Sequence, residues 1–251
     1  MGTSTSSRGP GSNSPLVPPW ADTDGQGPGP RPEPQRFRRF RTDLGKFVSG
    51  GDGADLRSAL GNYARTATGG RAVGPRRFGS MARAGGALFD TMSAFRDGQD
   101  AAGLDIAALN GQDTDLVIDA IVRALVPTDG DADRVRVAMN EALSQCLEGF
   151  DEFDFAHITD DMIVEMMMTY VAHCIFEQIM LDSRDAFAKA SSSDRIEQAE
   201  RDLRALVAAA TDKHMAPLLS GNVRILTGAQ VEGVQIRAIR EVWSEWEAYE
   251  P

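Results

Sequence analysis

The sequence predicts an all-α protein, a helical bundle preceded by a disordered N-terminal arm that is rich in Pro, Gly and Ser. Three observations indicate this fold class. Residues 1–36 show almost no periodic apolar pattern, so burial there cannot offset the entropy cost of ordering the chain. Beyond residue 111 apolar residues recur at helical spacing. No alternating strand pattern of useful length competes with the helical pattern.

The chain is predicted to have three parts. Residues 1–36 form the arm, residues 37–110 form short basic helices rich in glycine, and residues 111–251 form an acidic helical bundle. Since 20 of the 25 glycines precede residue 112, we expect the middle part to be looser than the bundle. Whether residues 37–110 fold independently is left open.

Charge is distributed unevenly along the chain. The formal net charge of -11 combines +6 over residues 1–90 with -17 over residues 91–251. Because an acidic body repels phosphate, any nucleic acid would bind the basic front half. Equally, the two halves could attract each other or a protein partner.

The helical pattern gives the elements in order. Pro127 is predicted to end the third of them, and Thr159 to cap the fifth. The helix after Thr159 is apolar nearly all round, which is typical of a helix at the centre of a bundle. Trp243 and Trp246 on the last helix either seal the core or anchor a partner, and core sealing is favoured. The predicted ranges are 54–67, 78–95, 116–126, 131–147, 159–181, 194–211 and 230–249.

Within the arm, the segment Pro15-Leu-Val-Pro-Pro-Trp20 is typical of a docking peptide. Its prolines favour an extended conformation, and its apolar side chains could anchor it in a partner's groove. The alternative is that Trp20 folds back onto the chain's own body. The predicted docking residues in this segment are Leu16, Val17, Pro18, Pro19 and Trp20.

A second segment interleaves four arginines with two phenylalanines. Such a run could contact a nucleic-acid backbone and stack on bases, and Arg76 and Arg77 could extend it. The favoured interpretation is a solvated face with two buried rings, so direct nucleic-acid binding is left open. The four arginines are Arg36, Arg38, Arg39 and Arg41.

No residue pattern indicates a catalytic site, a metal or another cofactor. The three histidines lack a recognised metal-ligand spacing. An alternative function, a small helical metal-binding or enzyme domain, would centre on His173, Cys174 and Glu177, although a lone histidine in an apolar helix is more often a packed core residue. Without a signal peptide or an apolar stretch of bilayer length, the chain is predicted to be cytoplasmic, with reduced cysteines.

Both ends of the chain carry a family resemblance. The segments Met1-Gly-Thr-Ser-Thr-Ser-Ser-Arg-Gly-Pro-Gly-Ser12, Pro15-Leu-Val-Pro-Pro-Trp-Ala21 and Ile236-Arg-Ala-Ile-Arg-Glu-Val-Trp243 resemble the QatB component of bacterial Qat anti-phage defence systems. The resemblance implies a non-enzymatic adaptor that works with an ATPase, a QueC-like enzyme and a TatD-like nuclease, and it implies no membrane association.

The resemblance also implies that the N-terminus is a substrate. In related defence systems a QueC-like enzyme attaches a deazaguanine to an N-terminal glycine, which here is Gly2. A glycine α-amine is unhindered and, with a pKa near 7.7 to 8.0, is far less protonated at neutral pH than a lysine. Thr3 and Ser4 are the predicted docking residues beside it. The first six residues also fit an N-myristoylation pattern with Ser6 in the last position, and an unmodified tail is the other alternative.

Overall fold

The computed structural model describes residues 14–22, 25–27 and 29–249. In these residues it confirms the all-α prediction, since they form helices and turns with two isolated β-bridges and no strand. The predicted disorder of residues 1–13, including Gly2, Thr3 and Ser4, lies outside the described residues.

Nine α-helices account for most of the described chain. A π-helical turn, Tyr63–Ala67, continues the second helix, and 3-10 turns lie at Pro19–Ala21, Gly74–Phe78, Phe155–His157, Arg184–Lys189 and Val223–Ile225. The α-helices are α1 (Arg38–Val48), α2 (Gly53–Asn62), α3 (Gly79–Arg96), α4 (Ile106–Leu109), α5 (Thr114–Leu125), α6 (Ala132–Cys146), α7 (Asp160–Ser183), α8 (Ser193–Leu219) and α9 (Gly228–Glu247).

Side-chain caps begin several of these helices. The Asp52 carboxylate accepts hydrogen bonds from two amides in the first turn of α2, and Asp113 caps α5 in the same way. The Thr159 hydroxyl accepts from the Met162 amide at the start of α7. Each bond satisfies an amide that has no partner within the helix, and Thr159 is the one of these caps that the sequence predicts.

The described chain divides into two units, each assembled from segments distant in sequence. The first unit contains the described residues up to Arg77, Phe176–Leu206 and the residues from Arg240 onward. The second unit contains Phe78–Ile175 and Val207–Ile239. The predicted boundary near residue 111 therefore falls inside the second unit, and independent folding of residues 37–110 stays a prediction.

Aromatic rings fill the core of the first unit. The Tyr63 ring lies 4.8 Å from Phe40 and 5.9 Å from Trp243, centroid to centroid. Trp243 and Trp246 are fully buried, and the Trp243 indole N–H donates to the Thr68 hydroxyl at 2.8 Å. Both tryptophans of α9 thus contribute to the core of their own unit.

Close helix contacts hold the second unit together. The Tyr170 hydroxyl donates to the Met81 carbonyl at 2.7 Å, and the Gln235 side-chain amide donates to the Ala82 carbonyl at 3.1 Å. A Cβ atom at Gly86 would lie 2.6 Å from the Gly228 carbonyl oxygen. The glycine in α3 therefore permits close packing there, in a part of the chain that glycine content predicted to be loose.

Two side chains predicted to lie on buried helix faces are instead exposed. Leu116 is 63% exposed and Val137 is 41% exposed. On α5 the buried face is formed by Val117, Ile118 and Ile121, and each residue rotates a helix by about 100°. Leu116 precedes that face by one step, so its side chain points away from it.

Candidate functional site

The base of the N-terminal arm packs into the first unit. Leu16, Val17 and Ala21 are buried, with exposed fractions of 4%, 0% and 1%. Leu16 lies against a turn at Gly69, where an added Cβ would come within 3.0 Å of its Cδ1 atom. Of the apolar side chains predicted to dock a partner, Pro19 and Trp20 are exposed, and Trp20 has 42% of its surface accessible. Residues 14–22 of the predicted arm are therefore anchored to their own unit.

An ion pair strengthens this anchor. The Asp22 carboxylate accepts from an Arg76 guanidinium nitrogen at 2.8 Å and from the Gly27 amide at 2.6 Å. The hydrogen bond from Arg76 lowers the pKa of Asp22 below its usual value. On the other side of the segment, Arg36 donates to the Pro15 carbonyl at 3.5 Å. The anchor combines apolar burial with charged contacts.

The arginine and phenylalanine run lies at the start of α1. Phe37 is buried beneath two guanidinium groups, with Arg36 and Arg41 lying 4.9 Å and 4.7 Å from the ring centroid. Arg36 is itself buried, whereas Arg38 and Arg39 are exposed. Because Arg76 pairs with Asp22 and Arg77 is buried, this arrangement does not favour the alternative of a nucleic-acid module that uses all six arginines.

A buried charge cluster lies beneath the same surface. Asp182, near the end of α7, is fully buried and accepts hydrogen bonds from Arg77 at 2.7 Å and from the Tyr63 hydroxyl at 2.9 Å. A second Arg77 nitrogen donates to the other carboxylate oxygen at 3.3 Å. Burial, followed by the Asp182 charge, raises the pKa of Tyr63 well above its ordinary value, so Tyr63 is a neutral donor to Asp182.

The surroundings of this cluster hold more positive charge than Asp182 compensates. Burial and the nearby Arg77 lower the pKa of Arg36 to about 10. Arg41 donates through Nε to the Asp182 carbonyl at 2.8 Å, but its Nη2 is buried without a hydrogen-bond partner. Arg36 likewise has two buried nitrogens, Nε and Nη1, without a partner.

A groove of about 430 Å³ opens beside this cluster in the first unit. We call it the cationic groove because four cations and only one carboxylate, Asp185, line it. Its other lining residues are Gln35, Phe37, Thr42, Ser183 and Ala186. The four groove cations are Arg38, Arg41, Arg184 and Lys189.

Sequence reasoning missed most of this groove. Arg38 and Arg41 were noted, but Arg184 and Lys189 lie about 140 residues away in the chain and reach the same place only through the fold. Asp182 could have been singled out, because it ends the long apolar stretch of α7 and a buried acid needs a partner. Nothing in the sequence indicated that Arg77 is the partner of Asp182.

The alternative function, a small helical metal-binding or enzyme domain, is not favoured by the structure. Among the described residues, no group of three or more His, Cys, Asp or Glu side chains is placed to hold a metal ion. His173 and Glu177 are partly buried and Cys174 is buried along α7. In the same part of the chain, no helix combines the length and apolar character needed to cross a membrane.

Fold and site together define an all-α protein with an anchored N-terminal segment and a cationic groove. Comparison with protein families then identifies it more closely: residues 69–246, more than half of the chain, match the family described as Qat anti-phage system associated protein QatB. The chain belongs to the QatB family and is a component of an anti-phage defence system. Comparisons with curated proteins and with solved structures found no match.

The matched range contains one of the three segments that carry the family resemblance. It confirms the family and includes the segment Ile236–Trp243. The segments of the first 21 residues lie outside the match. Family membership therefore rests on residues of the helical body and not on the N-terminal arm.

Proposed function

We propose that the chain is a non-enzymatic cytoplasmic adaptor of its Qat system. Its helical body docks an ATPase, and its N-terminal arm presents Gly2 to a QueC-like enzyme that attaches a deazaguanine. A TatD-like nuclease is a further proposed partner. Family membership supports other components of the system as partners.

The observation that carries the proposal is the anchored base of the arm. Since Leu16 and Val17 are buried in the first unit, Gly2 is tethered through the chain to a fixed point. Thirteen residues can span at most roughly 45 Å. A partner bound to the body would therefore meet the N-terminus at a high effective concentration, as a short tether provides.

For the base of the arm we propose a smaller docking surface than the one predicted from the sequence. Leu16 and Val17 are occupied by contacts within their own unit, whereas Pro19 and Trp20 are exposed. Trp20 presents a large ring in a short 3-10 turn, and aromatic rings of this kind dominate binding energies at interfaces. We assign partner contact at this place to Pro19 and Trp20, and anchoring to Leu16 and Val17.

The proposal assigns binding of the QueC-like enzyme to the arm and binding of the ATPase to the helical body. A capture experiment tests these two assignments separately. The full chain, a variant lacking residues 2–13 and a variant with residues 3–13 in scrambled order are each co-expressed with a tagged QueC-like enzyme or a tagged ATPase of the system. Deletion is expected to abolish capture by the QueC-like enzyme and to preserve capture by the ATPase. Equal capture of the deleted and full chains by the QueC-like enzyme would contradict the role of the arm.

A further inference from the structure

The cationic groove has the composition of an anion-binding site. Its lining carries four cations against the single carboxylate of Asp185. Both carboxylate oxygens of the neighbouring Asp182 accept hydrogen bonds from Arg77. Burial, followed by the nearby Arg184 charge, lowers the pKa of Arg41.

Arg41, which lines the groove, has one guanidinium nitrogen without a protein partner. The Nη2 atom of Arg41 is buried without a partner, although buried polar atoms are nearly always paired. The start of α1 adds to this, since Phe37 provides no side-chain cap and the first turn has no acidic residue. A helix N-terminus attracts negative charge, and here the surrounding side chains are cationic as well.

The groove cations are held in place by the fold. The side chain of Lys189 crosses α1 at Gly45, where an added Cβ would lie 2.6 Å from the Lys189 Cδ atom. Gln35 and Arg184 adopt left-handed backbone conformations, with φ of 55° and 49°. Of the three described non-glycine residues with positive φ, two therefore line this groove. Such conformations are costly and concentrate where ligands are held.

We propose that the cationic groove binds a phosphate-bearing small molecule, with its phosphate held by the four groove cations. Guanidinium groups match the geometry of phosphate oxygens through paired hydrogen bonds. The volume of about 430 Å³ lies within the range of small-molecule sites. The Phe37 ring and the Ala186 side chain add apolar surface for an organic group next to the phosphate.

Calorimetry with inorganic pyrophosphate tests this proposal on the full chain at low salt. Saturable binding is expected, and it should weaken at least about tenfold in the double variant Arg38→Gln, Lys189→Gln, because each charge-assisted contact contributes about that factor. Arg39→Gln is the matched control, since Arg39 is exposed in the same turn of α1 but does not line the groove. It should bind like the parent.

Two further measurements decide the class of ligand. Adenosine monophosphate should bind at least as tightly as pyrophosphate, and adenosine should not bind. Arg41→Lys, which keeps the charge but removes the unpartnered Nη2 atom, should weaken pyrophosphate binding. Absence of pyrophosphate binding at up to about 10 mM, roughly the Kd of the weakest useful binding, would overturn the proposal. The proposal would also be overturned if an oligonucleotide bound where pyrophosphate did not, and if Arg39→Gln and the double variant weakened the oligonucleotide binding equally.

Discussion

Asp182 is an acidic residue buried in the core of the first unit. It is fully buried at the end of an apolar helix, and its charge is compensated by Arg77 and by the Tyr63 hydroxyl. A buried ion pair is costly to form, but removing one partner costs more, because the other charge stays buried without compensation. The cluster therefore fixes how α2, α7 and the turn at Arg77 pack together.

Asp182→Asn is expected to lower the free energy of unfolding by about 3 kcal/mol, because it removes the carboxylate charge that pairs with the buried Arg77. Urea denaturation followed by circular dichroism measures the loss. Arg123→Ala breaks the exposed i, i+4 pair with Asp119 and should cost less than about 0.5 kcal/mol. Similar losses in the two variants would show that the Asp182 cluster does not stabilise the fold.

Cys146 illustrates how burial controls reactivity. Its thiol donates to the Met162 carbonyl at 3.4 Å, and burial raises its pKa to about 11. Because a raised pKa keeps the thiol protonated at pH 8, native Cys146 should react with a thiol reagent on the order of a hundredfold more slowly than free cysteine. Unfolding in guanidinium should expose both cysteines to rapid reaction. Rapid labelling of the native protein at Cys146 would contradict this environment.

Among the elements, the long helices were the most predictable. The helix predicted at 159–181 corresponds to α7, and the helix predicted at 230–249 corresponds to α9. α8 continues past the predicted end at residue 211 to Leu219 and includes Pro217. α1 was not among the predicted helices. Its first residues were interpreted as a solvated face with two buried rings, and its buried face has only three large apolar side chains before Val48, namely Phe40, Leu44 and Phe47.

The contact between α3 and the start of α9 depends on small residues. A Cβ at Gly86 would lie 2.6 Å from a backbone oxygen of Gly228, which cannot move aside as a side chain could. Gly86→Ala should therefore destabilise the protein by about 2 kcal/mol through overpacking.

Gly233→Ala is the matched control for this prediction. Gly233 is also within a helix, but an added Cβ there meets nothing within 4 Å. The substitution should stabilise the protein by about 0.5 to 1 kcal/mol, since alanine is the better helix former. Thermal or urea unfolding of both variants gives the comparison, and stabilisation by both would show that helix propensity, not the close contact, decides the outcome.

For the whole molecule, the sequence predicted the fold class but not the way distant segments combine. The first unit joins α1 and α2 to the end of α7 and the end of α9, so the predicted division at residue 111 does not coincide with either unit. The cationic groove depends on the same combination, as Arg38 meets Lys189 only after folding. Periodicity reports which face of a helix is buried, but not which helix covers it.

The anchored arm gives a prediction for the stability of the whole chain. Removing residues 2–13 should change the free energy of unfolding by less than about 0.5 kcal/mol, because terminal residues usually contribute little to stability. Val17→Ala should lower it by about 2 kcal/mol, because the Val17 side chain is fully buried. Equal effects of the two changes on urea denaturation would mean that residues 14–22 do not anchor the arm.

We propose that the arm presents its N-terminal amine to a partner enzyme. Intact mass spectrometry with N-terminal peptide mapping is the direct test of this proposal. The chain is expressed alone and together with the other components of its defence system, alongside a Gly2→Pro control whose N-terminal amine is secondary. The account predicts a mass added to Gly2 only in co-expression, and none in the control. An unmodified Gly2 in both samples would contradict it.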